Sequence, residues 1–143
     1  MNVVAGLLDA PAAQAAMRRA AEEAQLRGGT LHLVAYAPSP DTAGDDSPSN
    51  FAAERDRFQA LLDERVEVYR AKGIDCAGHL PLGTSRPSQA ILEVAEEVDA
   101  GLVVIGMRRR SRVGKLVLGS NAQDIVLGAN CAVLAVKATE GDE

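Results

Sequence analysis

The residues with the clearest chemical potential lie in one stretch, Gly106-Met107-Arg108-Arg109-Arg110-Ser111-Arg112-Val113-Gly114-Lys115-Leu116-Val117-Leu118-Gly119-Ser120-Asn121. Glycines let a backbone come close to a ligand, hydroxyls and free N–H groups donate to an anion, and a helix starting after the loop adds its positive end. Five of the fifteen basic residues fall between Arg108 and Lys115, although the chain as a whole carries a formal charge of -5. The stretch therefore concentrates the chemistry of phosphate binding in an otherwise acidic protein. Two standard phosphate motifs do not fit it. A Walker loop needs glycine five residues before Gly114 and a hydroxyl after Lys115, where the chain has Arg109 and Leu116, and no GxGxxG is present.

The elements that must position this loop alternate between strand and helix. Val3 to Leu8 is a short apolar run followed by Asp9 and Pro11, a helix cap and a first-turn proline. Ala12 to Arg27 carries Ala16, Ala20 and Ala24 at helical spacing and stops at Gly28-Gly29. Strand Leu31 to Ala35 follows. Residues Pro38 to Asn50 have linker composition and are expected to form a flexible loop, too short to separate two domains. The spacing of Phe58, Leu61, Leu62, Val66 and Tyr69 predicts a helix over Phe51 to Lys72, ended by Gly73, and Ile74 to Leu80 is a weaker strand. A helix from Pro87 to Val98 leads into Gly101 to Gly106, whose apolar run without alternation marks a strand covered on both faces. A short helix over Asn121 to Leu127 and a strand over Ala132 to Val136 close the chain. Such alternation implies right-handed crossovers and a mainly parallel sheet in one domain over residues 1–143. Ligands of open sheets of this kind sit beyond the carboxyl ends of the strands, which draws attention to the loops after the first and fourth strands.

Several function classes are excluded by composition. The net charge and the near absence of aromatic residues, with no Trp, two Phe and two Tyr, argue against nucleic acid and against an anionic membrane surface as partners. No apolar stretch approaches the roughly 20 residues that cross a bilayer, and the N-terminal run has neither the length nor the basic flank of a signal peptide. Cys76 and Cys131 lack metal-ligand spacing and are expected to be buried thiols in a reducing cytoplasm. His32 and His79 have no Ser, Cys or acid at a telling spacing and are read as structural. Glu93, Glu96 and Glu97 form a solvated acidic face. Ser111 and Ser120 lack the GxSxG or SxxK context of a nucleophile, and helix capping and phosphate contact account for Ser120. No catalytic or metal-binding set emerges, so catalysis is expected to be absent or at most slow ATP hydrolysis.

The frame Gly106, Gly119, Ser120 resembles the hallmark of the universal stress proteins: Gly, two residues, Gly, nine residues, Gly, then Ser or Thr. The resemblance extends to the Val-rich first strand running into a proline-started helix, to Gly83 before the third helix, and to Val-Val-Ile-Gly. It also includes the closing Cys131-Ala132-Val133-Leu134-Ala135-Val136. It implies an α/β fold of the adenine nucleotide alpha hydrolase-like type, an open five-stranded parallel sheet in order 3-2-1-4-5 with helices on both faces. It also implies a cytoplasmic stress-response module that binds ATP or another adenine nucleotide. Carried over, Gly106, Gly119, Ser120 and Asn121 face phosphate and ribose, and backbone near Ala35 borders the adenine, while Arg108 and Arg109 belong to this chain's own cationic filling of the frame. Two departures stand out. Arg109 occupies the second glycine position, where it either closes the site or forks onto a phosphate itself. Leu8 and Ala10 replace the usual Asp and Ser after the first strand, and Asp9 either takes over that role or serves as helix N-cap. A homodimer through the apolar edge Ala132 to Val136 is implied by the resemblance and by the exposed ladder groups of such an edge. The alternative reading is a dimeric interaction protein of the same fold whose nucleotide site is altered by Arg109 and Leu8.

Overall fold

A computed structural model describes residues 1–7, 11–37, 48–84, 86–109 and 116–138. In chain order these form β1 (Asn2–Gly6), α1 (Pro11–Leu26), β2 (Thr30–Val34), α2 (Pro48–Ala71) and β3 (Cys76–His79). The second half of the chain adds α3 (Pro87–Glu97), β4 (Leu102–Arg109), β5 (Leu116–Val117), α4 (Ser120–Gly128) and β6 (Ala132–Lys137).

β1 and β4 pair in parallel at the centre of the sheet, with Val4 opposite Val103, and β2 and then β3 extend it on one side. β6 pairs with the outer side of β4, Val103 opposite Val133, and is the fifth parallel strand. The expected order 3-2-1-4-5 is therefore the order observed, with β6 as its last member. β5 stands apart from it as a two-residue antiparallel partner of the end of β4, Arg108 opposite Val117 and Arg109 opposite Leu116.

Strand alternation divides the core into two layers. Val3 and Ala5 of β1, Leu31 and Leu33 of β2 and Val104 of β4 face α1 and α2, where Ala16, Ala20, Leu62 and Val66 cover them. Val4, Val34, Val103 and Ile105 face α3 and α4, meeting Ile91, Val94 and Ile125. This two-sided cover is why the β4 sequence reads as a continuous apolar run. α1 presents almost nothing larger than alanine to the sheet, so its axis lies close to β1 and β4. It ends at Gly28, whose φ of +62° is costly for a side-chain-bearing residue.

The boundaries differ from expectation in three places. α2 begins at Pro48, inside the stretch read as loop, because proline at the first helical position has its φ already set and needs no N–H there. The rest of that stretch, residues 38–47, lies outside the described residues. β3 is shorter than Ile74 to Leu80, since Ile74 N–H still bonds back to the Tyr69 carbonyl at 3.2 Å at the end of α2. β4 runs three residues past Gly106, because β5 supplies ladder partners for Arg108 and Arg109. No helix among the described residues is long and apolar enough to cross a membrane.

Candidate functional site

The strands β1, β2 and β4 point their carboxyl ends at one edge of the sheet, and the segments leaving those ends must build the site. At the end of β4, Gly106 lies under the first turn of α1. A β-carbon on Gly106 would collide with the carbonyl carbon and oxygen of Ala12. The first glycine of the frame is thus required by the protein itself, as the point where α1 crosses β4.

Gly119 is a different case. It is the N-cap of α4, with φ −67° and ψ 167°, an extended conformation open to any residue, and a β-carbon there would meet nothing within 4 Å. Neither space nor backbone asks for glycine. It supplies no side-chain cap to the first turn of α4, which starts beside an exposed Ser120. Side-chain capping was expected from Ser120. Ser120 is instead the first residue inside the helix, and the capping position one residue earlier belongs to Gly119.

The direction of α4 is fixed from its own first turn. Asn121 Oδ1 accepts the Ser88 backbone N–H at 3.1 Å, capping α3, whose own N-cap residue Arg86 makes no side-chain cap. Asp124 Oδ2 accepts the Ser88 hydroxyl at 2.9 Å and lies 3.1 Å from the Arg86 guanidinium. Asn121, expected at phosphate and ribose, therefore has its side-chain oxygen engaged with α3. Sequence reading singled out neither Ser88 nor Asp124. The only signal was the Pro87-Ser88 start of a helix whose preceding residue, Arg86, has a side chain that cannot accept a hydrogen bond.

Arg108 and Arg109 lie in the paired end of β4 rather than in the loop where they were expected, because β5 holds them in an antiparallel ladder. Asp99 is the one described non-glycine residue with positive φ, so replacing the motif glycine by Arg109 imposes no left-handed backbone. Residues 110–115 and Asp9 lie outside the described residues. Ala35 is fully buried just past β2, and its N–H donates to the His79 carbonyl at 2.8 Å. β1 is joined to the same edge by Leu7 N–H, which donates to the Val34 carbonyl at 2.7 Å.

A cleft of about 770 Å³ opens on the outer side between α3 and α4. Its wall carries Glu93, Glu96, Asp99 and Asp124 against Arg86, a charge pattern unsuited to phosphate, and neither Gly106 nor Gly119 lines it. Among the described residues no cluster of three or more His, Cys, Asp or Glu is placed to hold a metal ion. Cys76 is buried and Cys131 only partly so, both free. Burial pushes the Cys76 thiol up to about 11, with Arg70 opposing weakly, which leaves it a poor nucleophile.

The universal stress protein family model matches residues 1–137, which include the frame Gly106, Gly119, Ser120 at the carboxyl edge of this sheet. The chain belongs to the universal stress protein family. It is 38% identical over 116 residues to a universal stress protein of Thermus aquaticus, covering 80% of this chain and 82% of the other. Among solved structures, the universal stress protein from Archaeoglobus fulgidus superposes with a TM-score of 0.72 at 33% identity, covering 96% of this chain and 98% of that one. The Archaeoglobus fulgidus universal stress protein in complex with dAMP gives 0.68 at 29% identity, with the same coverage.

The two glycines predict opposite stability effects. Gly106→Ala should lose roughly 1–3 kcal/mol, because backbone has to move to admit the methyl group. Gly119→Ala should stay within about 0.5 kcal/mol of the native protein, since a slightly poorer N-cap is offset by a less flexible unfolded chain. Urea unfolding of both variants checks this, and equal losses would contradict the assignment of Gly106 to packing and Gly119 to an open face.

Proposed function

We propose that this chain is a stress-response module that binds an adenine nucleotide, with its phosphates at the start of α4. The observation that carries the reading is Gly119, a glycine that no contact or backbone angle among the described residues requires, at a helix start without a side-chain cap and next to an exposed Ser120. A helix N-terminus left in that state suits a phosphate, because its N–H groups and the helix dipole both favour negative charge. In this reading the amides of Ser120 and Asn121 hold the phosphate, and Gly119 lets it approach. Arg108 and Arg109 supply positive charge from the end of β4. Asp9 and the backbone at Ala35 border ribose and adenine. The complex of the Archaeoglobus fulgidus relative with dAMP supports the class of ligand. The role is binding without chemistry, in a reducing cytoplasm where Cys76 and Cys131 stay free.

A second reading, a dimeric interaction protein whose nucleotide site has been altered, is favoured by Arg109 at a glycine position and Leu8 at an aspartate position. Titration calorimetry separates the two. Native protein should bind ATP and AMP at least about tenfold more tightly than adenosine, the difference expected of a charge-assisted phosphate contact. Absence of heat from native protein, with tight ATP binding by Arg109→Gly, would reject the leading reading and show that the arginine closes the site.

Both readings include a homodimer through β6. This strand is paired only with β4 among the described strands and leaves Val133, Leu134 and Val136 partly exposed. Leu127 of α4 is 86% exposed and Val126 47%. A second copy paired along Ala132 to Val136 would satisfy the open ladder and cover this apolar surface. Light scattering at micromolar concentration should give twice the chain mass of 15.0 kDa, and a monomer there would reject the dimer.

A further inference from the structure

Three polar side chains unused by the nucleotide reading form a continuous line across β1, β2 and β3. Asn2 Nδ2 donates to the Val98 carbonyl at 2.7 Å, Asn2 Oδ1 is 3.0 Å from His32 Nε2, and His32 Nδ1 is 2.8 Å from His79 Nε2. The imidazole centroids are 5.0 Å apart. His32 is buried and His79 partly so.

Every hydrogen in this line is determined from its far end. The Val98 carbonyl can only accept, which turns the Asn2 oxygen toward His32. That oxygen can only accept, so Nε2 of His32 carries a hydrogen. A neutral imidazole has a single N–H, so Nδ1 of His32 is an acceptor and the hydrogen between the rings belongs to Nε2 of His79. The one nitrogen left outside the line is Nδ1 of His79.

The surroundings give the two rings unequal claims on a proton. His32 is flanked in the register by Val4 and Ala77 and lies on the α3 side of the sheet. His79 shares that side, since Gly78 is the residue that meets Leu62 and Val66 of α2 on the other. Burial holds both histidines below their ordinary value, and for His32 the neighbouring His79 lowers it further. Among the described residues, the charged group that raises His79 against this trend is Glu97 at the end of α3. A first proton on Nδ1 of His79 leaves all three hydrogen bonds in place. A second must enter at Nδ1 of His32, where it would point at the Nε2–H of His79 across 2.8 Å between two charged rings.

We propose that Asn2, His32 and His79 form an acid-sensitive latch between β2 and β3 that holds one proton, on Nδ1 of His79, and opens when the second enters. The element released is β3, a strand of four residues paired only with β2 among the described strands, together with the bond from Ala35 N–H to the His79 carbonyl. Both folded-state pKa values are depressed, so the stability tied to these rings is full above about pH 6.5 and is lost as pH falls below it. In the interval where the folded chain holds one proton on the pair and the unfolded chain two, the unfolding equilibrium constant rises about tenfold for each unit of pH lost.

Long-range ¹H–¹⁵N spectra of the imidazoles in the native protein, recorded from pH 8 to 4.5 with hydrogen exchange of the Ala35 amide, test the latch. At pH 8 both rings should carry hydrogen on Nε2. His79 should protonate first, and His32 should stay neutral until the Ala35 amide loses protection in the same step. In His79→Gln the amide can turn its oxygen toward a protonated His32, so Ala35 should stay protected at pH values that release it in the native protein. Independent protonation of both rings with Ala35 still protected would overturn the proposal, as would a hydrogen on Nδ1 of His79 at pH 8 or release of β3 in His79→Gln at the native pH.

Discussion

The carboxyl edge of the sheet is shaped by the crossing of α1 over β4, where the carbonyl of Ala12 occupies the space that a side chain on residue 106 would need. A helix that faces the sheet with alanine can come this close only if the strand beneath offers glycine at the crossing. With α1 seated there, β4 continues beyond the main sheet, pairs briefly with β5 and returns the chain to the start of α4. The start of α4 is held in turn by packing within the fold, through Asn121 and Asp124 against the beginning of α3.

From that point the two halves of the motif have separate physical causes. Gly106 serves the fold. Gly119 serves no contact among the described residues and stands at an N-terminus whose orientation is locked by Asn121 and Asp124 against the beginning of α3. The proposed anion site needs donors held in place, and these two side chains hold the start of α4, which has no side-chain cap. Arg109 enters this arrangement as part of an ordinary extended strand, so its presence costs the backbone nothing.

Much of the architecture could be read from the sequence because burial leaves periodic marks. The unbroken apolar run of Leu102 to Ile105 announced a strand covered on both faces, and the alanines of α1 announced its inner surface. The features that escaped had no such mark. A two-residue pairing of Leu116 and Val117 with a pair of arginines has no hydrophobic signature, and Pro48 looked like part of a loop until it proved to be the first residue of a helix. The cap that Asn121 provides to Ser88 spans 33 residues, and the contact of His32 with His79 spans 47. Both depend on register and crossover geometry, which local spacing does not encode. The frame of the site was legible, and the engagement of Asn121 with α3 was not.

The most direct measurement of the central claim is a ¹H–¹⁵N titration of the native protein with AMP and, separately, with adenosine. The phosphate should move the backbone amides of Ser120, Asn121 and Ala122, and adenosine should leave those three in place. AMP shifts that match those of adenosine, or that avoid the first turn of α4 altogether, would contradict the assignment of that helix start to phosphate.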